Sequence, residues 1–496
     1  MPINIPNTNG ARMDTQLKQP KIRSVKFNVV MNTILTTSTF LFPLITVPYV
    51  SRVLGPDNNG IVSWAFTFVG YFSLVALLGF NMYGTRECAK LRDDRERLSA
   101  VVQELLVILI CSTTIVYIAF IAFVFALPRT RDELPLMFIV GTSIWLSACG
   151  AEWFYRSIEQ YEYITVRNIL FKIASIVLLF IFVHRTNDYP AYAAVTVLGT
   201  TGSNILNILR LRSFVTFSRH RPMRIRRHFK PMFAFSVSSI TAGMYGQIDM
   251  LLLGFFSSNY ALGLYQLVFK IRNICTGVGG SVTGVMLPRL SYYEAQEGHD
   301  HTTRLMAKNF NFLLMLGLAI IAALVICADP LIMILGGGDY LPGNAALRIG
   351  APLVLLGSIG SMQSQYMVAS DQEKTYTYTN VVGLVIAIVL ECILIPLWGI
   401  DGAALGLVLT ELSVYCIRTY ILRDFMKQVR RYTDYGKIVL AWVVAFLLAA
   451  GVYYLIRTWN PFAQIILTAL VFCGADGGIL MLTKESFLTA MVKRKR

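Results

Sequence analysis

Long apolar runs, each close to 20 residues, recur along almost the whole sequence. A helix needs about 20 residues to cross roughly 30 Å of hydrocarbon, so runs of this length predict membrane-spanning helices. We count fourteen such runs in the sequence. Their expected limits are 27–51, 61–85, 105–128, 134–155, 167–184, 189–209, 232–256, 261–288, 309–328, 345–369, 375–397, 401–421, 438–456 and 461–483.

The composition supports a membrane protein. Hydrophobic residues make up 55% of the 496, charged residues only 15%, and the mean hydropathy is +0.58. So few charges could not solvate the surface of a soluble protein of this size. The fold class is therefore predicted to be an all-α polytopic membrane protein with about fourteen transmembrane helices.

Lysine and arginine are distributed unevenly between the two sets of connections. When residues near a span end are counted with the adjoining connection, the set that contains both chain ends carries 35 of the 44 basic residues and the opposite set carries 6, while Lys172, Lys270 and Arg272 lie deeper inside spans. Basic residues accumulate in cytoplasmic connections, so both termini are predicted to be cytoplasmic. The same clustering explains the net charge of +16 without a nucleic-acid partner.

A basic stretch between the sixth and seventh spans divides the chain into two similar halves. Two sets of six spans are typical of transporters built from parallel repeats. The pairs Leu54-Gly55 and Leu253-Gly254, about 200 residues apart, begin similar polar turns and favour such a repeat. The expected units are a cytoplasmic N-terminal tail (1–26), an N-terminal six-helix bundle (27–209), a basic cytoplasmic linker (210–231), a C-terminal six-helix bundle (232–421), and two additional helices with a basic cytoplasmic tail (422–496).

Three charged residues interrupt the apolar seventh and eighth spans. Asp249 and Lys270 lie about 12–14 Å from the short turn that joins these spans, at ~1.5 Å per residue. An ion pair, or a shared polar cavity, is therefore expected at this depth. Arg272 lies near the opposite face of its helix from Lys270, so the two cannot point the same way.

These charges have two interpretations. A buried pair could simply lock the two spans together. Alternatively, the ions could line a water-filled cavity that receives an anionic group, to which Lys172 and Arg52 could add. Glu391 and Glu411 are further intramembrane acids that could relay a cation or hydrogen-bond to a neighbouring span.

The sequence contains no pattern typical of an enzyme. There is no Walker A loop, catalytic triad or metal-ligand spacing, and the eight cysteines are read as small buried hydrophobes. All connections on the outer side are short, whereas an enzyme acting there would need a sizeable loop or domain. The chain is predicted to be a carrier, with no catalytic residues, no metal and no cofactor.

Several stretches resemble the Wzx-type flippases of polysaccharide biosynthesis, in the multidrug/oligosaccharidyl-lipid/polysaccharide exporter superfamily. The resemblance extends from about residue 24 to residue 425. The motifs that carry it are TVPYVSRVLGPDNNGIVSWAFTFVGYFSLVALLGFNMYGTRECAK, EWFYRSIEQYEYITVRNILFKIASIVLLFIFV, QIDMLLLGFFSSNYALGLYQLVFKI and PLWGIDGAALGLVLTEL.

This resemblance implies two six-helix bundles arranged in a V around a central basic cavity, working by alternating access. It implies the transfer of undecaprenyl-diphosphate-linked oligosaccharide from the cytoplasmic to the outer leaflet of the bacterial inner membrane, for capsule, O-antigen or exopolysaccharide assembly. Asp249 and Lys270 match the family's acidic and basic mid-membrane positions, and Glu152 and Arg156 lie in its EWFYRS segment. A polysaccharide polymerase and a chain-length regulator are implied as partners. H⁺, Na⁺ or the membrane potential is implied as the energy source.

Three other functions remain open at this point. One is a scaffold that only recruits glycan enzymes, which would leave the intramembrane ions unexplained. A cation-coupled drug exporter of the same superfamily should have an acid-rich cavity, whereas the intramembrane ions here are of both signs. A membrane enzyme, such as a polymerase or glycosyltransferase, is disfavoured by the short outer connections.

Overall fold

The computed structural model describes residues 23–217, 223–284 and 299–485. Within these ranges the regular structure is helical, with no strand. The α-helices, numbered in chain order, are α1 Val25–Ala76, α2 Phe80–Lys90, α3 Arg95–Ala126, α4 Pro128–Arg131, α5 Leu134–Cys149, α6 Glu152–Ser157, α7 Tyr161–Phe182, α8 Tyr189–Val197, α9 Asn204–Leu211, α10 Arg226–Tyr245, α11 Ile248–Phe256, α12 Asn259–Gly284, α13 His299–Ile326, α14 Ala328–Leu335, α15 Asn344–Gly350, α16 Pro352–Ala369, α17 Glu373–Ile421, α18 Arg423–Arg431, α19 Tyr435–Leu455 and α20 Pro461–Leu482.

In the described part, eight helices are long and apolar enough to cross a membrane, and a bent pair over 338–369 could make a ninth. Two of the eight are longer than one crossing needs. α1 has 52 residues with a break at Gly55 (φ 71°), and α17 has 49 with a break at Gly399 (φ 56°). Glycine takes these left-handed angles without the Cβ clash of other residues. Each long helix therefore consists of two arms. The chain is a multipass all-α membrane protein, and the number fourteen stays a prediction.

The two arms of α17 fold back on each other. A Cβ on Gly402 would lie 2.1 Å from the Leu394 carbonyl oxygen, and one on Gly406 would lie 3.1 Å from Cγ of Glu391. Small residues here let the two backbones approach closely.

The helix ends define two faces of the molecule. We call the face with the α2–α3 and α6–α7 connections the basic face, because it carries Lys90, Arg92 and Arg156. The face with the α7–α8 and α11–α12 connections is called the opposite face.

At the opposite face, the second arm of α1 packs closely against α12. A Cβ on Gly60 would lie 2.0 Å from the Asn259 carbonyl oxygen, and a Cβ on Gly263 would lie 1.9 Å from the Pro56 carbonyl oxygen. The contact is reciprocal, since the partners in each half are four residues apart. Such reciprocity is what a pseudo-twofold relation between the halves would produce and supports an internal repeat.

At the basic face, α10 closes against α2 and α3. The Tyr83 hydroxyl lies 2.7 Å from Nδ1 of His228, and Arg227 forms an ion pair with Glu104 at 2.7 Å. α10 begins at Arg226, inside the stretch expected to be a linker. The N-terminal half thus touches the C-terminal half at both faces.

A shared apolar core joins the halves between these two contacts. Trp64 and Phe68 of α1 belong to the same buried cluster as Met250 of α11 and Leu262 of α12. The last two long helices, α19 and α20, pack on each other and against α13 and α14.

Candidate functional site

Asp249 is the one acidic residue in the sequence of the seventh span, and its side chain is buried. The span is interrupted at Gly246 and Gln247, so α11 begins just before Asp249 and the carboxylate occupies the first helical turn. Its Oδ1 accepts a hydrogen bond from the backbone N–H of Met250 at 2.9 Å, and the side chain is 1% exposed. A carboxylate is favoured at this position because the helix N-terminus carries a partial positive charge.

The eighth span supplies two partners for this carboxylate. Tyr265 donates its hydroxyl hydrogen to Oδ2 of Asp249 at 2.8 Å, and Nη1 of Arg272 lies 3.7 Å from the same oxygen. Tyr265 and Arg272 are seven residues apart on α12, which places them on one helix face. A cavity of about 10 Å³, large enough for about one water molecule, adjoins both side chains.

Lys270 does not take the place that the sequence suggested for it. It is half-buried and, within the described ranges, makes no ion pair or hydrogen bond. The expected Asp249–Lys270 pair is therefore wrong, and Arg272 is the cation at Asp249. At roughly 100° per residue, Lys270 is rotated about 140° from the Tyr265 face, whereas Arg272 returns to it.

Glu391 lies on the first arm of α17, within electrostatic range of Asp249 and Arg272. Its side chain is fully buried, and neither carboxyl oxygen has a hydrogen-bond partner in the described part. The Asp249–Arg272–Glu391 cluster therefore contains two acids and one base. Buried charge without a partner is costly, so a carboxyl group in this position is suited to take up a proton or a cation.

Glu411 lies on the second arm of α17, near the buried Arg418, a residue close to the end of the span expected over 401–421. Arg418 donates to the Gly360 carbonyl oxygen at 3.2 Å and to Oδ1 of Asn380 at 2.7 Å. Its position seven residues after Glu411, two helical turns away, is a signal that could have shown that both face inward.

Arg52 holds the two halves together at the opposite face. Its Nη2 donates to the carbonyl oxygens of Met333 at 3.2 Å and Ile334 at 2.7 Å, in the last turn of α14. A cation is favoured at a helix C-terminus. The guanidinium is thus engaged with backbone and lies apart from the Asp249 cluster.

Arg129 also joins the two halves at the opposite face, although it was not among the site residues predicted from the sequence. It donates to the Gly254 carbonyl oxygen and to Oδ1 of Asn259, and it stacks 4.8 Å from the Trp64 ring. It is one of only a few basic residues in the connections at this face, which is the sequence signal that could have singled it out.

The remaining predicted residues lie in the N-terminal half. Lys172 of α7 is half-buried and donates to Oγ of Ser38 at 2.9 Å, which ties α7 to α1. Glu152 and Arg156 form a two-point ion pair at the basic face, with distances of 2.7 Å and 2.9 Å. Glu152 also lies 3.5 Å from Arg167. The predicted site residues thus fall into separate groups, and the structure does not gather them around one cavity.

Known proteins with similar sequences and folds point to one family. The family of polysaccharide biosynthesis proteins matches residues 25–294, more than half of the chain. A protein of Escherichia coli (strain K12) to which O-antigen transport is ascribed is 24% identical over 82% of this chain and 97% of its own length. A Haloferax volcanii protein ascribed the role of flippase in low-salt glycan biosynthesis is 22% identical over 51% of this chain and 52% of its own length.

Solved structures show the same fold. The lipid II flippase MurJ in an inward closed conformation superimposes with a TM-score of 0.73 and 14% identity, over 92% of this chain and 100% of that one. An inward-facing multidrug resistance transporter of the MATE family gives a TM-score of 0.58 and 15% identity, over 82% and 99% of the two chains. The chain therefore belongs to the polysaccharide biosynthesis protein family, and the similarity to a protein of O-antigen transport confirms the resemblance to Wzx-type flippases.

Proposed function

We propose that this protein is a flippase that moves undecaprenyl-diphosphate-linked oligosaccharide repeat units from the cytoplasmic to the outer leaflet of the inner membrane. The relatives that match over most of their length are described as transporters of O-antigen, and none is described as an enzyme. A diphosphate and a hydrated glycan cannot cross hydrocarbon unaided, so such a cargo needs a polar path through the protein. The product would supply capsule, O-antigen or exopolysaccharide assembly, where a polymerase and a chain-length regulator would act next.

The observation that carries this proposal is the buried Asp249–Arg272–Glu391 cluster between α11, α12 and α17. Intramembrane ions are retained chiefly where they serve transport. Arg272 is the cation that can meet the cargo's phosphate if the halves part beside it. Asp249 and Glu391 are the acids that can exchange a proton or Na⁺ with that movement. Glu411, near Arg418, is the second coupling candidate.

Alternating access would require the closed contacts to open in turn. The contact at the opposite face depends on Gly60, Gly263 and Arg129. The contact at the basic face depends on Glu104 and Arg227. If the basic face is cytoplasmic, cargo would enter after the contact at the basic face opens. It would leave after the contact at the opposite face opens.

The test is transport of labelled lipid-linked oligosaccharide in membrane vesicles. Asp249→Asn and Arg272→Gln should each reduce translocation at least tenfold, because each removes one charge from the cluster. Two matched controls each remove a charge of the same sign elsewhere: Asp476→Asn in α20 and Lys270→Gln in α12. Both controls should retain most of the activity.

Two outcomes would contradict the proposal in different ways. If Arg272→Gln translocates the labelled lipid as fast as wild type, the cluster takes no part in transport. If wild-type vesicles move no glycan lipid but transport a cationic dye in exchange for protons, the protein is a drug exporter instead.

A further inference from the structure

A second charged region lies in the N-terminal half, far along the chain from Asp249. It is a cavity of about 410 Å³ between the first turns of α7 and the end of α9, at the basic face. Tyr163, Arg167, Arg210 and Leu206 are among the residues that line it. We propose that this cavity binds the phosphate headgroup of a membrane lipid, and we call it the α7–α9 pocket.

Arg167 is the first reason. Its side chain is only 2% exposed, yet none of its three guanidinium nitrogens has a hydrogen-bond partner in the described part. Its nearest acid is Glu152, with 3.5 Å between Nη2 and Oε2, and the other oxygen of Glu152 is occupied by Arg156. Arginine has five N–H donors in a fork that matches phosphate, and burying them without acceptors is costly. An anionic ligand would satisfy them.

Arg210 provides a second cation in the same pocket. Its guanidinium carbon lies 3.8 Å from the Tyr163 ring centroid, and that of Arg167 lies 5.7 Å from the same centroid. The two guanidinium groups beside this ring repel each other, and an anion bound between them would offset that repulsion. The ring holds each of them by a cation–π contact of about 0.5–2 kcal/mol.

The local charge balance is positive. Glu162 also lines the pocket, but it is paired with Arg23 at 3.0 Å. Among the residues that line the pocket, one carboxylate, Glu162, therefore stands against two guanidinium groups, Arg167 and Arg210. An excess of this kind favours a phosphate over a neutral ligand.

The apolar rim indicates that the ligand is a lipid and not a free anion. Val166 and Leu170, which line the pocket on α7, are 50% and 59% exposed. Ile173 and Val177 continue the exposed row along the same helix face at spacings of three and four residues. A phosphate in the pocket would leave an attached hydrocarbon chain lying along this row, inside the bilayer.

The experiment measures lipid retention by the purified full-length protein, using native mass spectrometry. Three probes are added separately: phosphatidylglycerol, undecaprenyl phosphate and phosphatidylcholine. Wild type should retain one copy of a net anionic phosphate lipid in preference to zwitterionic phosphatidylcholine. Whichever of the first two binds identifies the source of the phosphate.

Two variants test the location. Arg210→Ala removes a cation, and Leu206→Trp fills the pocket from its lipid-exposed rim, so each should weaken binding roughly tenfold. The matched control is Arg97→Ala, which removes an exposed arginine paired with Asp94 on the same face and should change nothing. Equal losses in Arg210→Ala and Arg97→Ala, or no preference over phosphatidylcholine, would overturn the proposal. The assay involves no transport, so its result is independent of the proposed flippase activity.

Discussion

Arg272 and Lys270 are two residues apart on α12, yet they have different environments. Arg272 is mostly buried and faces Asp249, whereas Lys270 is half-buried without a described partner. Helical geometry alone predicted that the two point in different directions. It could not decide which of them faces Asp249, because that depends on the rotation of α12 against α11, which tertiary contacts set.

At this scale the structure predicts unequal costs for two similar substitutions. Arg272→Met should destabilise the protein by about 3–5 kcal/mol, because it leaves Asp249 and Glu391 buried without a cation. Lys270→Met, the matched control, should cost about 0.5 kcal/mol or less. Denaturant unfolding of the purified variants measures both values. Equal costs would show that Arg272 does not hold the cluster together.

The Tyr265 hydroxyl is a smaller part of the same cluster. Tyr265→Phe removes one hydrogen bond to a buried carboxylate while retaining the ring, so we expect a loss of about 1.5–3 kcal/mol. In the Asp249→Asn background the same change should cost less than half as much, since the charge-assisted bond is already gone. A double-mutant cycle by denaturant unfolding measures this coupling, and additive losses would contradict it.

At the level of the helices, glycines decide how closely the halves approach. Gly60 and Gly263 leave no room for a Cβ because each meets the backbone of the other half. In the sequence, Gly55 and Gly254 stand out because they begin similar turns. The structure gives these two glycines different roles: Gly55 breaks α1 at a positive φ, whereas Gly254 lies within α11 against Trp64.

Gly60→Ala should therefore disturb the contact between halves. Overpacking against backbone costs about 1–3 kcal/mol. Gly70→Ala, also within α1 but with open space around the added Cβ, should be neutral or stabilise by up to about 1 kcal/mol. Thermal unfolding in detergent separates the two. A Gly60→Ala protein as stable as Gly70→Ala would mean that the halves do not meet as closely as described.

Apolar run length predicted most of the helices, and their order follows the expected spans. The sequence did not show the interruption at Gly246 and Gln247, which divides the seventh span and puts Asp249 at a helix start. An isolated glycine is tolerated inside many membrane helices, so it predicts no break by itself. The partners of Arg52 and Arg129 were equally hidden, because they are mostly backbone oxygens supplied by the other half of the chain.

At the scale of the whole molecule, the described α2–α3 and α6–α7 connections are basic and lie on one face, and together with the distribution of lysine and arginine in the sequence they lead us to predict that both termini are cytoplasmic. In a cysteine-free background, Asp93→Cys at the basic face should stay unlabelled by a membrane-impermeant maleimide in intact cells. Arg457→Cys, at the opposite face, should be labelled. Both positions are exposed in the structure. The reverse pattern would invert the topology and the proposed direction of transport.

The two contacts between the halves differ in chemistry. At the opposite face, Arg52 and Arg129 donate to carbonyl and amide oxygens, which are neutral. At the basic face the contact joins charged groups, because the carboxylate of Glu104 meets the guanidinium of Arg227 as well as the His228 ring. Reversing the charge of one side chain, such as Glu104, could therefore turn attraction into repulsion at the basic face, whereas the described bonds of Arg52 and Arg129 end on neutral oxygens and offer no such partner.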